Sequence, residues 1–176
     1  MQRTWIEAAI KAYFSGNKDE DALWQTLDAR LHSGVMSARK ESLGHDAARL
    51  LEQFIAWDQE NDELPADPFP RVRDVALGDH ALAVRRDLIY LDTSGYRSRQ
   101  LWTTHDLRPQ HPRAIEMAAA VLVSVDSDLG VGSTEHVEVW GLRHGTRVTW
   151  SRSQLMPHIH SLRQHLDQAA DEIQNP

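Results

Sequence analysis

The stretch EHVEVWGLRHGTRVTWS, from Glu135 to Ser151, decides the fold because it predicts two strands that fold back on each other. The His144-Gly145 pair lies at its centre and supplies a glycine where a tight hairpin turn needs a positive φ. A two-residue turn at this pair places Trp140 opposite Thr149. The sequence therefore predicts an antiparallel hairpin with a defined register.

The two faces of this hairpin differ in chemistry, because successive strand residues point to opposite sides. One face is apolar and carries Val137, Val139, Val148 and Trp150. The other face mixes aromatic, acidic, basic and imidazole groups and carries His136, Glu138, Trp140, Leu142, Arg147 and Thr149. This second face is the best candidate for the wall of a pocket.

The composition of the 176 residues bounds the class of protein. The length suits one domain with a sizeable core, and we expect a single α+β domain over residues 1–176. The formal net charge of -7 argues against a nucleic-acid partner, since phosphate contact favours basic surfaces. Cysteine is absent and the N-terminus lacks the apolar core of a signal peptide, so we expect a cytoplasmic protein with no membrane partner.

The helical part of the chain, residues 1–63, predicts three helices. A capping-box pattern starts the first helix, which covers about residues 4–14. The acids that follow Asn17 start a second helix, which ends at the Ser33-Gly34 pair. Helical spacing of apolar residues predicts a third helix over about residues 45–59.

The sheet part, residues 71–152, follows a segment that is rich in proline. It begins as a strand, a Gly78-Asp79 turn and a longer strand that ends at Asp92, and a further strand begins at Ser98. The run IEMAAAVLVSVD, residues 115–126, favours a helix at its alanines and a strand at its valines. We predict mainly strand, because the run is apolar on both sides.

The last part, residues 153–174, predicts a long C-terminal helix. Its apolar residues recur in steps of four and three and form a narrow stripe: Leu155, Ile159, Leu162, Leu166, Ala169 and Ile173. Such a stripe either lies along the sheet or pairs with its own copy. The second alternative predicts a homodimer.

The order of these elements resembles the NTF2-like superfamily, including its SnoaL-like and ketosteroid-isomerase-like members. Three passages carry the resemblance: IEAAIKAYFSGNKDEDALWQTLD, SLGHDAARLLEQF and VEVWGLRHGTRVTW. The resemblance implies three N-terminal helices packed on a curved antiparallel sheet that forms a cone with a pocket inside. The insert HDLRPQHPRAIEMAAA and the long final helix depart from that pattern, and no counterpart of the isomerase's catalytic aspartate or tyrosine is placed.

Glu138 and His136 are the first candidates for acid or base chemistry, because residues two apart on a strand share a face and Trp140 continues it. A carboxylate beside tryptophan in a dry pocket has a raised pKa and can shuttle a proton. His105 is a third candidate, because imidazole titrates near neutrality. The alternative is an exposed amphipathic strand whose tryptophan packs against the C-terminal helix.

Aromatic side chains are the candidates for ligand contacts. Trp102 and Trp140 would form walls of the pocket, and Tyr13 and Trp24 would contribute from the helices. The simpler interpretation is that these residues belong to the core.

Three histidines of the C-terminal helix, His158, His160 and His165, have a spacing that raises the question of a metal site. All three lie outside the apolar stripe, so we expect them in solvent and expect no metal there. The chain shows no motif for a cofactor.

The sequence leads to two candidate functions. The first is a pocket protein that binds a small, largely apolar molecule and carries out proton-transfer or hydrolytic chemistry on it. The second is a non-catalytic protein-protein interaction module, such as an immunity protein, a secretion chaperone or an assembly subunit. An enclosed pocket lined by tryptophan favours the first, and a filled core with an exposed apolar stripe favours the second.

Overall fold

The computed structural model describes residues 2–67, 71–93, 95–103, 111–130 and 132–174. Its elements are, in order, α1 (Gln2–Ser15), α2 (Glu20–His32), α3 (Ala38–Asp58), β1 (Arg71–Leu77), β2 (His80–Arg86), β3 (Leu88–Asp92), β4 (Gly95–Trp102), α4 (Pro112–Leu129), β5 (Thr134–Gly141), β6 (Thr146–Ser151) and α5 (Arg152–Gln174). The predicted α+β class, with three N-terminal helices, a sheet region and a C-terminal helix, is confirmed.

Two compact units, Met1–Phe69 and Pro70–Pro176, make up the chain. The boundary between them falls in the proline-rich segment that separates the predicted helical and sheet parts. The single domain over residues 1–176 and the packing of the helices on the sheet stay predictions.

The first unit consists of three helices, of which the second and third begin at capping residues. Asp19 caps α2 by accepting a hydrogen bond from the Ala22 N–H at 3.1 Å. Helix α3 begins at Ala38, seven residues before the predicted start, and continues through Gly44. At Gly44 a Cβ atom would lie 2.6 Å from a methyl carbon of Leu31 on α2, so the glycine lets the two helices approach each other.

The sheet region contains two sheets. Strands β1 and β2 form a two-stranded antiparallel sheet, and the other four strands form a sheet in the order β3-β4-β5-β6. Within the larger sheet, β4 and β5 are parallel and the outer pairs are antiparallel. The central pair therefore differs from the antiparallel sheet that the resemblance implied, because α4 returns the chain to the same end of the sheet.

The long strand that we predicted to end at Asp92 is two strands, because the chain leaves the ladder at Asp87. The Asp87 carboxylate accepts hydrogen bonds from the Leu101 N–H at 2.8 Å and from the Arg85 guanidinium at 3.2 Å. The side chain thus bonds a β4 backbone group at the point where β2 ends and β3 begins. The two strands join different sheets.

Helix α4 shows that the prediction of mainly strand for residues 115–126 was wrong. His111 caps the helix, accepting a hydrogen bond from the Arg113 N–H at 3.1 Å, and Pro112 lies in the first turn. The helix contacts β1, β2, β4, β5 and α5, so it is covered on several sides. A helix buried in this way carries the same continuous apolar pattern as a buried strand.

Strands β5 and β6 form the predicted hairpin with a longer loop. Trp140 pairs with Arg147, a shift of two residues from the predicted register. The loop covers residues 142–145, and within it the Leu142 N–H donates to the Trp102 carbonyl on β4 at 3.1 Å. Because side chains alternate with a period of two, this shift leaves every strand residue on its predicted face.

The apolar stripe of α5 is used within the chain over its first half. Leu155 is fully buried, and Ile159 and Leu162 pack against the core around α4. Further along, Leu166 is half-buried and Ala169 is exposed. The homodimer stays a prediction. Among the described residues, none of the helices combines the length and the apolar character that a membrane crossing needs.

Candidate functional site

The candidate site is the side of the four-stranded sheet that faces away from α4. The apolar side, with Val137 and Ile89, belongs to the core around α4. In the register of the sheet, Arg99 lies opposite Glu138 and Arg147 lies opposite Trp140. Eight residues of this side are called the polar sheet face: Tyr90, Arg97, Arg99, His136, Glu138, Trp140, Arg147 and Thr149. The buried Leu88 and Leu101 lie on the same side.

Glu138 bridges two arginines of β4. Its carboxylate lies 2.7 Å from Nε of Arg99 and 3.4 Å from Nε of Arg97. The side chain of Arg99 is 1% exposed and that of Glu138 is 13% exposed, so water screens this pair only weakly. Glu138, the predicted acid or base, is therefore the anion of a partly buried ion-pair cluster. It is not a carboxyl group that contacts only aromatic side chains.

Arg99 also connects the two aromatic residues of the face. Its guanidinium carbon lies 3.7 Å from the centroid of the Trp140 ring and 4.5 Å from that of Tyr90. One guanidinium nitrogen donates a hydrogen bond to the Tyr90 hydroxyl at 2.8 Å. Cation-π contacts gain strength away from water, so this stack fixes the positions of both rings.

The accessible part of the polar sheet face lies along β6. Arg147 and Thr149 are exposed there, and His136 is half-buried two residues before Glu138 on β5. The guanidinium carbon of Arg147 is 5.9 Å from the centroid of the Trp140 ring. A ligand that reaches the face from this side meets Arg147, Thr149 and His136 first, with the buried cluster behind them.

The predicted site residues are only partly brought together. His136, Glu138 and Trp140 share the polar sheet face, as the alternation predicted. Trp102 pairs in register with Gly141, next to the Leu101–Trp140 pair, so it points to the opposite side of the sheet from Trp140. The two tryptophans therefore do not form two walls on one side. His105 lies outside the described residues.

Tyr13 and Trp24 belong to the first unit. Trp24 is half-buried on α2. Tyr13 is 1% exposed, and its hydroxyl donates a hydrogen bond to the Asp58 carboxylate at 3.1 Å. Burial and the neighbouring charge of Asp58 both raise the pKa of the Tyr13 hydroxyl above its usual value. The Tyr13–Asp58 hydrogen bond therefore lies in the interior of the first unit, and Tyr13 belongs to its core.

The histidines of α5 lie at its surface. His165 contacts Glu116 of α4 at 3.2 Å, whereas His160 is exposed and His158 half-buried. Another histidine, His80 at the start of β2, contacts Asp167 of α5 at 2.7 Å. Over the residues that the structure describes, no group of three or more candidate ligands could hold a metal ion.

Sequence reasoning missed Tyr90, Arg97 and Arg99. The strand that was predicted after Asp92 starts at Ser98, which leaves Arg97 to the preceding turn, whereas β4 begins at Gly95. The two arginines are two residues apart, so their shared face was readable from the alternation. Their position opposite His136 and Glu138 depends on the β4–β5 pairing, which neither strand reveals by itself.

Comparison with known proteins found no relative. No protein-family model matches the chain, and neither the curated proteins nor the solved structures gave a match. The NTF2-like resemblance therefore stays a prediction, and the function has to be inferred from the geometry of the site.

Proposed function

We propose that this protein binds a small organic anion on the polar sheet face and that it is not an enzyme. The observation that carries the proposal is that Arg97 and Arg99 flank the carboxylate of Glu138, while the exposed Arg147 lies beside Trp140 on the same face. The polar sheet face thus presents guanidinium groups in a chain whose formal net charge is -7. A carboxylate or phosphate group is the natural complement of such a surface.

The cost of burying charge supports a binding role for the cluster. Replacing a buried ion pair by apolar residues of similar size is often neutral or stabilising, so such a pair is weak evidence for a purely structural role. Arg99 and Glu138 lie on a strand face that apolar residues would serve equally well for folding.

Proton transfer by Glu138 is the less favoured alternative. Its carboxylate is engaged by two guanidinium groups, so accepting a proton would break an ion pair with a side chain that is 1% exposed.

The proposal retains the NTF2-like resemblance, in which the ligand lies against the sheet. It also places the protein in the cytoplasm, which the absence of cysteine supports.

The proposal predicts that Arg147→Gln weakens binding of small carboxylates and phosphate esters. Calorimetric titration would use each anion beside its neutral amide or alcohol counterpart. We expect saturable binding of at least one anion, and a loss of about tenfold or more in the variant, because a hydrogen bond to a charged group contributes about 1.5–3 kcal/mol. Binding should also weaken as salt rises.

The matched control is Arg30→Gln, which removes an exposed arginine from α2 and should leave binding unchanged. Equal affinity for an anion and its neutral counterpart, or an equal effect of both substitutions, would contradict the proposal. So would the absence of saturable binding for every member of the set.

The second candidate function is a protein-protein interaction module, and an exposed loop of the first unit favours it. Val35 is 91% exposed and Met36 is 44% exposed in the loop between α2 and α3. The ends of the loop are held, because Lys40 donates to the Ser33 carbonyl and Ser37 caps α3. A fixed loop with two exposed apolar side chains is suited to contact with a partner, including a second copy.

This second function predicts a dimer that depends on the loop. Sedimentation velocity at increasing protein concentration should show self-association, and the double substitution Val35→Ser, Met36→Ser should abolish it. Both side chains are exposed, so the melting temperature should stay within the range of ordinary surface substitutions. A wild-type protein that remains monomeric, or a dimer that the double substitution leaves intact, would count against this role for the loop.

A further inference from the structure

A groove lies on the other side of the larger sheet from the polar sheet face, where β2, α4 and α5 meet. Its volume is about 510 Å³. Helix α4 packs over the apolar side of the sheet, with Val137, so the sheet separates this groove from the site proposed above. The residues that matter for its chemistry are Leu82, Arg113, Glu116, Met117, Ala120 and Leu162.

The floor of the groove is apolar and continuous with the core. Leu82 of β2 and Leu162 of α5 pack against the core cluster from two sides, and Ala120 belongs to it. Met117 stands at the wall and is 43% exposed, which is high for a large apolar side chain. Methionine is flexible and polarizable, so it adapts its shape to an apolar ligand.

The rim of the groove carries one cation that the described residues leave without a charged partner. Arg113 is exposed in the first turn of α4, and its guanidinium makes no hydrogen bond or ion pair with the described residues. The acid of the rim, Glu116, is already in contact with His165 at 3.2 Å. The ring of His111 accepts the Arg113 N–H, so it serves as the helix cap.

We infer that this groove binds a short, unbranched aliphatic carboxylate. The carboxylate pairs with Arg113, and the chain lies along α4 past Met117 towards Ala120. The distance from residue 113 to residue 120 of a helix is about 10 Å, at about 1.5 Å per residue. An extended chain covers that distance with about eight bonds, which matches an acid the size of octanoate.

The binding of octanoate to the full chain tests this inference by calorimetric titration. Octanoate should occupy one site that depends on Arg113, and butyrate should occupy that site at least tenfold more weakly because its chain does not reach Ala120. Arg113→Gln should weaken octanoate at least fivefold and leave octanol unchanged. Met117→Gln should weaken both ligands, because it removes an apolar contact that they share.

Two controls separate this groove from other sites. Arg163→Gln removes an exposed arginine from the other side of α5 and should not change octanoate binding. Arg147→Gln, which tests the polar sheet face, should leave the Arg113-dependent octanoate site unchanged, so the two proposals can fail independently. Octanoate binding that is absent, non-saturable, or equal in the wild type and Arg113→Gln overturns the inference. All variants replace exposed side chains, and unchanged melting temperatures would confirm that they fold.

Discussion

At the scale of the residue, Glu138 matters because it is the anion beside Arg99, whose side chain is 1% exposed. We predict that Glu138→Gln lowers the free energy of unfolding by about 3 kcal/mol, because the change removes the charge of a carboxylate that is paired with a buried guanidinium. Urea denaturation monitored by tryptophan fluorescence would measure the loss. Arg147→Gln is the matched control and should change stability by no more than about 0.5 kcal/mol, since Arg147 is exposed. Similar stabilities of wild type and Glu138→Gln would show that the bridge is not a buried ion pair in solution.

Which residues share a face was predictable, and which residues touch was not. His136, Glu138 and Trp140 were placed together correctly, because the alternation of a strand survives a register shift of two residues. The partners of Glu138 lie on β4, which is 39 residues away at Arg99 and is joined to β5 through a helix. Local patterns carry no information about such a pairing. The sequence predicted a Glu138 carboxylate beside tryptophan, whereas the structure shows Glu138 paired with arginines. The β4–β5 pairing, which the sequence does not reveal, accounts for this difference.

At the scale of the element, the limits of the sequence signal are clearest in α4. Residues 117–123 form a continuous apolar run, and periodicity cannot distinguish a helix that is covered on several sides from a buried strand. The deciding signals are local: the alanines at 118–120, and Pro112 just after a capping residue. Helix α5 was predicted with nearly correct bounds, because its stripe is narrow and polar residues surround it.

The prediction of one long strand up to Asp92 was wrong because of a single side chain, that of Asp87. Asp87 binds the backbone of β4 and ends the ladder of β2, which splits the strand between two sheets. Aspartate is unfavourable in strand interiors, so its presence in the run ALAVRRDLIYLD was a usable warning. The break matters for function, because it lets β3 bring Tyr90 to the polar sheet face beside Arg99.

At the scale of the whole molecule, the proline-rich segment gave the position of the division into two units, since composition changes sharply there. Beside its hydrophobic core, the second unit has two carboxylates near the end of α4 that link its elements. Asp126 accepts hydrogen bonds from Arg152 of α5 at 2.6 Å and from the Thr134 N–H of β5 at 3.2 Å. Asp128 lies 2.7 Å from the guanidinium of Arg86 and 3.1 Å from that of Arg73. The two residues therefore connect α4 to strands of both sheets and to α5.

These two carboxylates predict how stability depends on acid. Burial raises the pKa of Asp126, but hydrogen bonds from Arg152 and from backbone N–H groups outweigh it and hold the pKa below its ordinary value. Burial acts in the same sense at Asp128, where Arg86 and Arg73 outweigh it and also lower the pKa. A carboxylate whose pKa is lower in the folded state stabilises the fold above its unfolded value and loses that contribution as the pH falls through the folded value.

We therefore expect the melting temperature of the wild type to fall as the pH drops from about 5 to about 2. The double substitution Asp126→Asn, Asp128→Asn should melt at a lower temperature at pH 7 and show a shallower dependence in acid. The two melting curves should converge at the lowest pH, where the wild-type carboxylates are protonated and no longer form ion pairs. Scanning calorimetry over this range makes the measurement. Curves that stay parallel from neutral to acid pH would mean that the end of α4 is not held by ionised aspartates, and that packing alone connects the two sheets to the last helix.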